Sequence, residues 1–231
     1  MTKRMQILAL VTLLLASSGL ALEAAKQAAS TAPFAVANVR FEQNATDGDA
    51  EVVFEVKGGK EGLAKLAVVS PDGRTVIDFT APDASTLGIR QFRFETPEPR
   101  DVKGIKSAYP EGVYTFAGAT AGGSKLHGKA TLNHKLPATT SFLQPKAGAR
   151  GVSVKEPKIA WAPVKEVAAY IIDLQQRKLG LKLTARVPGS VATFALPEGF
   201  LLPGMEYKLA IGTVSDQGNI SFVETTFTTG S

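Results

Sequence analysis

The chain has 231 residues, 44% of them hydrophobic and 20% charged, and carries a net charge of +5. That composition supports one large or two small globular domains with real cores. Cysteine is absent, which excludes disulfides, thiolate metal centres, Cys nucleophiles and a lipid-modified N-terminal Cys.

Lys3 and Arg4 precede an apolar stretch over residues 7–15, and Gly19-Leu20-Ala21 offers small residues for cleavage. The apolar run is too short to span a bilayer, so residues 1–21 are expected to be a secretory signal peptide. The mature chain is expected outside the cytoplasm, periplasmic or extracellular, as a monomer without a membrane anchor. Loss of Lys3 and Arg4 would lower the net charge from +5 to +3 (5 − 2 = 3). The remaining Lys and Arg are scattered rather than clustered on one basic face, so no nucleic-acid partner is expected.

Residues 22–33 are Ala-rich and read as a leader, with the fold beginning near Phe34. Residues 51–56 alternate, predicting a strand with Val52, Phe54 and Val56 inward and Glu51 and Glu55 outward. Residues 66–70 and 75–80 are two further strands, joined by a Pro71-Asp72-Gly73-Arg74 turn. Proline presets φ for such a turn and glycine supplies the positive φ at its exit. Residues 90–94 put Phe92 and Phe94 inward, with Gln91 and Arg93 outward. Pro97, Pro99 and Pro110 make residues 96–110 a crossing loop, and no helix is expected in this half. Residues 111–116 and 125–134 are two more strands about an Ala121-Gly122-Gly123-Ser124 turn, with Tyr114 at a strand corner.

Pro137 and Pro145 bracket a short segment read as a stiff joint between two domains. Beyond it lie seven short runs, at 152–154, 159–161, 170–174, 179–187, 191–196, 207–211 and 220–228. Trp161, the only tryptophan, sits on one of them; Tyr207 follows a tight Pro203-Gly204 turn. A buried Trp, a corner Tyr and a Greek-key set of strands mark an Ig-like sandwich. The expected fold is therefore all-β: two tandem antiparallel β-sandwiches after a signal peptide.

Trp161-x-Pro163, Tyr170-x-Ile172, Leu202-Pro203-Gly204-x-Glu206-Tyr207 and Gly218-Asn219, in that order, resemble the spaced motifs of a fibronectin type III domain. The resemblance covers roughly residues 140 to 229 and departs from the pattern at residues 195–200, which are longer than the usual approach to the Pro-Gly turn. It implies a sandwich used as a spacer or binding module and supplies no catalytic residue. Thr46-Asp47-Gly48-Asp49, Pro71-Asp72-Gly73-Arg74, Tyr109-Pro110-Glu111-Gly112 and Asn133-His134-Lys135-Leu136-Pro137 extend it. With them the chain resembles exported bacterial two-domain proteins of unknown function, Ig-like in the first half and fibronectin type III-like in the second. The implied domains are 34–137 and 140–231.

Candidate chemistry is thin. His127 and His134 are seven apart on one predicted strand, an odd spacing that puts them on opposite faces. Asn44, Asp47 and Asp49 could offer three oxygens to a calcium ion, but the bidentate Glu and the loop spacing are missing, and an Asx turn about Gly48 is expected instead. Lys57-Gly58-Gly59-Lys60 and residues 121–124 join strands, without the helix N-terminus a phosphate loop uses. Asn44-Ala45-Thr46 and Asn219-Ile220-Ser221 fit glycosylation acceptors, neither expected to be modified. Catalytic, cofactor-binding and metal residues are all expected to be none, and the protein is expected not to be an enzyme. The function expected is an exported binding or scaffolding protein that contacts a protein or glycan through sandwich loops or edges. The alternative is an accessory module of an exported polymer hydrolase, or a small hydrolase with a carboxylate pair that linear sequence does not reveal.

Overall fold

The computed structural model describes residues 31–81, 88–99 and 101–231. The expected signal peptide and its cleavage site lie outside the described residues. The first part of the chain runs β1 (Thr31–Pro33), β2 (Val36–Asn44), β3 (Asp49–Lys57), β4 (Leu63–Val69), β5 (Thr75–Thr80), β6 (Gln91–Glu95), α1 (Val102–Ala108), β7 (Gly112–Thr120) and β8 (Lys125–Leu132). The second part runs β9 (Phe142–Gln144), β10 (Lys158–Trp161), β11 (Ala169–Gln176), β12 (Leu181–Pro188), β13 (Thr193–Ala195), β14 (Glu206–Val214) and β15 (Ile220–Thr228). Residues 31–231 form one compact unit, an all-β sandwich fold.

Local chemistry accounts for most of these elements. The β4–β5 hairpin closes through Gly73 at φ +84°, whose N–H donates to Ser70 O at 2.9 Å, while Ser70 N–H donates to Arg74 O. Bonds from Ser70 Oγ and Arg74 to the Asp72 carboxylate tie the turn and hold that group below its ordinary pKa. Two corner tyrosines reach back to the chain before them: Tyr114 to Pro110 O at 3.1 Å and Tyr207 to Phe200 O at 3.0 Å, the bonding that pins a sandwich corner. Trp161 is fully buried against Tyr170, ring centroids 5.2 Å apart.

Two local expectations need correction. The loop over residues 96–110 contains the helix α1, capped by Asp101, which accepts from Gly104 N–H at 3.0 Å, and anchored by buried Ile105. Seven residues with one buried position carry too little periodicity to announce a helix. The run at 152–154 is only an isolated bridge, Val152 to Thr229. Glu51 faces outward from both clusters as expected, yet it is only 8% exposed.

The strands assemble into a five-stranded sheet (β1-β8-β7-β4-β5), a three-stranded sheet (β13-β10-β9) and a seven-stranded sheet (β12-β11-β14-β15-β2-β3-β6). The last of these draws on both parts of the chain. Its central link is a parallel pairing of β15 with β2, with Ile220, Ser221 and Phe222 beside Glu42, Gln43 and Asn44. Side chains alternate across a pleat, so this register places Val39 and Phe41 on the same face as Val223 and Phe227. Two hydrophobic clusters lie on that side. One gathers Phe41, Phe54, Leu66, Tyr114 and Phe116; the other gathers Trp161, Tyr170, Leu174, Tyr207 and Leu209. The opposite face carries neither cluster.

The segment after β8 is tied down at the same junction. Asn219, 1% exposed, accepts from Phe41 N–H at 2.9 Å through Oδ1. Its amide nitrogen lies 2.9 Å from Asn133 O and 3.0 Å from Lys135 O. Ser221 and Thr213 donate hydroxyls to Pro137 O and Ala138 O, both at 2.8 Å. A buried Asn with all of its polar atoms engaged fixes geometry, because each broken bond would strand a buried polar group.

Candidate functional site: the open face of the seven-stranded sheet

On the face away from the two clusters, period-2 alternation presents Arg40 and Glu42 from β2, Glu51 and Glu55 from β3, and Arg93 and Glu95 from β6. Strands β11, β12, β14 and β15 contribute Asp173, Lys182, Lys208 and Glu224 to the same face. Side chains from β6 (Arg93, Glu95) and from β12 (Lys182, Thr184, Arg186) line one common depression, so the sheet curls about this face.

The first half of the face is an ion network. Arg40 Nε lies 2.5 Å from Glu42 Oε1 and its Nη1 2.7 Å from Glu55 Oε2. Arg93 pairs with Glu95 and stands 3.8 Å from Glu42 Oε2 and 3.7 Å from Glu55 Oε1. Arg40 and Glu42 are 7% and 5% exposed, so theirs is a sheltered pair, and removing one member would leave a buried charge without its partner. Desolvation pulls Arg93 down, but Glu42, Glu95 and Glu51 outweigh it and hold the guanidinium above its ordinary pKa.

Glu51 stands directly across the β2–β3 ladder from Glu42. Burial, reinforced by the negative charges of Glu42, Glu95 and Glu98 and opposed by Arg93, pushes its carboxyl from 4.5 to about 8. It is therefore mainly protonated at neutral pH. Beside it a groove enclosing about 210 Å³ runs onto the second half, lined by Glu42, Asp49, Glu51, Asp173, Lys208 and Phe222 among others. Lys208 reaches Glu224 at 2.5 Å, and Lys182 reaches Asp173 at 3.0 Å. Phe222 lies across β14 at Gly212, where an added Cβ would stand 2.6 Å from the ring, and joins a small apolar patch of Ala169, Ile171, Val214 and Ile220. This face can thus bind by hydrogen bonds, ion pairs and a modest apolar floor.

Of the residues weighed from sequence, Asn44 and Asp49 line the groove; the others lie elsewhere or serve the fold. His127 is exposed on β8. His134 stands beyond the end of β8, its ring 5.2 Å from Phe41 and its Nε2 2.9 Å from Tyr109 O. In the 44–49 turn, Asn44 Oδ1 accepts from Thr46 N–H at 3.0 Å and Gly48 takes φ +78°. Asn44 Nδ2 donates to Asp47 Oδ2 at 3.0 Å, the Asx arrangement. Among the described residues no three His, Cys, Asp or Glu side chains converge as a metal group would require. At residues 121–124, Gly123 N–H donates to Thr120 O and Ser124 N–H to Thr120 Oγ1, an ordinary turn. Sequence reasoning missed Arg40, Glu42 and the burial of Glu51. The only linear signal was alternation of charge with apolar residues.

No family model and no curated protein matches the chain. Solved structures similar to it include the chicken CNTN1 FN1-FN3 domains, at 11% identity and a TM-score of 0.32, covering 85% of this chain and 67% of that one. A two-domain fibronectin type III segment of chicken tenascin is 16% identical with a TM-score of 0.31, covering 85% and 99%. The fibronectin(III)-like modules of Clostridium thermocellum CbhA are 13% identical with a TM-score of 0.33, covering 85% and 91%.

Proposed function

We propose that the protein is an exported, non-catalytic binding or scaffolding module that contacts a protein or glycan partner. In this reading cleavage follows residue 21, and the sandwiches at 34–137 and 140–231 act together as one platform. The observation that carries it is the single sheet continuing from one half into the other through the β15–β2 pairing. Its open, grooved face is a rigid surface broader than either half alone, and rigid surfaces bind with little ordering cost. That face, rather than the loop ends and edges expected from sequence, is the contact surface.

A hydrolytic reading finds support in one feature. Glu42 and Glu51 are adjacent carboxyls in different environments, the pattern by which acid and base roles separate. Glu42, however, is engaged on one oxygen by Arg40 and faced on the other by Arg93, which commits it to the ion network. Retention of envelope proteins or glycans on immobilised protein tests the binding reading. Wild type should retain a partner that Phe222→Glu does not, with no turnover of glycoside, ester or peptide substrates. Turnover that scales with protein and disappears in Glu51→Gln would overturn it.

A further inference from the structure

Three carboxylates of the open face, Glu42, Glu55 and Glu95, have guanidinium partners in Arg40 and Arg93. Glu51 is different. It is nine-tenths buried and lines the groove, yet it has no ion pair or hydrogen bond among the described residues. Asp49, on the same strand and face, also has no cationic partner among the described residues. The groove runs from these carboxyls over Ala210 and the ring of Phe222. We propose that this groove binds the end of an alkyl-guanidinium or alkyl-ammonium group, its cationic head at Glu51 and its aliphatic stem on Phe222 and Ala210.

The inference deepens the binding reading above and rests on it for biological meaning. Carboxylate acceptors at one end and an apolar floor at the other match the division of a lysine or arginine side chain into head and stem. An aromatic face beside a cation adds attraction. The carboxylates are not gathered as a metal group would be, which favours an organic cation with spread donors over a single ion. The charged groups on the face that carries Glu51 are Arg40 and Glu42 from β2, Asp49 and Glu55 from β3, Arg93 and Glu95 from β6, Glu98 beyond it, Asp173 from β11, Lys182 and Arg186 from β12, and Lys208 and Glu224 from β14 and β15. With its carboxyl raised to about 8, Glu51 must give up its proton to meet a cation at neutral pH.

Two sources share this chemistry: a free alkyl cation and a basic side chain of a polypeptide. Calorimetric titration of the full chain at pH 7 with agmatine, and separately with a capped pentapeptide bearing a central arginine, distinguishes them. Runs in buffers of different ionisation enthalpy count protons. The proposal expects saturable binding of at least one probe with release of close to one proton. Glu51→Gln should weaken that binding about tenfold or more and abolish the release, while substitution of Glu61, an exposed residue between β3 and β4 outside the groove lining, as Glu61→Gln leaves both unchanged. Tighter binding of the peptide than of agmatine assigns a polypeptide source, and the reverse assigns a free amine. Absence of saturable binding, or binding unchanged in Glu51→Gln, overturns the proposal. If the groove fails to take either probe while Phe222→Glu still loses a retained partner, the cation inference falls and the binding reading stands. Probe binding with no partner retained by wild type has the opposite consequence.

Discussion

Glu51→Gln should stabilise the protein at alkaline pH. A carboxyl moved from 4.5 to about 8 is protonated in the folded chain across a range where the unfolded chain is ionised. The folded state therefore binds more protons than the unfolded state between those limits, and stability falls as pH rises through them. The contribution is fully present below 4.5 and fully lost above 8. At 1.36 kcal/mol per pH unit, a displacement of about 3.5 units corresponds to on the order of 5 kcal/mol; water entering the groove reduces this, leaving about 2–3 kcal/mol. Glutamine has nearly the shape of the protonated acid and does not ionise. Urea unfolding from pH 4.5 to 9 should therefore give wild-type and variant curves that agree within about 1 kcal/mol at the acid end, with the variant ahead by about 2–3 kcal/mol at the alkaline end. Groups other than Glu51 titrate in both proteins and largely cancel in the difference. Curves that stay parallel throughout, or a wild type that gains on the variant as pH rises, would refute the assignment.

Trp161→Ala should cost about 3–5 kcal/mol, the range for truncating a buried large aromatic, read by urea unfolding followed through circular dichroism. Trp161→Phe should cost less, because Nε1 is buried without a partner among the described residues and phenylalanine removes that unpaired N–H. Asn219→Ala should cost about 2–4 kcal/mol, since it strands Phe41 N–H and two carbonyls in a buried site; differential scanning calorimetry measures it. Mass spectrometry of exported protein should find the chain starting at residue 22, and an intact Met1 would count against processing there.

The sandwich strands were legible because each needs only its own alternation: Val52, Phe54 and Val56 are core residues as the pattern implies. The Tyr114 and Tyr207 corners were legible because a Pro and a Gly mark the turns before them. The seven-stranded sheet was not. Its central pairing joins residues about 178 apart in sequence, and nothing in β2 or β15 alone names the other as its neighbour. The open face followed the same division. Alternation set Glu51 and Arg93 on the outward side, but the burial of Glu51 depends on the curl of a sheet assembled from both parts of the chain.

The platform, and with it the binding face, stands on that one junction. Amide hydrogen exchange at Phe41 and Ala45 tests it most directly, because Phe41 N–H donates to Asn219 Oδ1 and Ala45 N–H to Phe222 O, each at 2.9 Å across the two halves. The continuous sheet predicts that both amides exchange about 1,000-fold or more slowly than in an unstructured chain, an opening free energy of roughly 4 kcal/mol, and that Asn219→Ala accelerates both. Unprotected exchange at both positions, with the core amides of β3 and β14 still slow, would show two sandwiches that do not share a sheet.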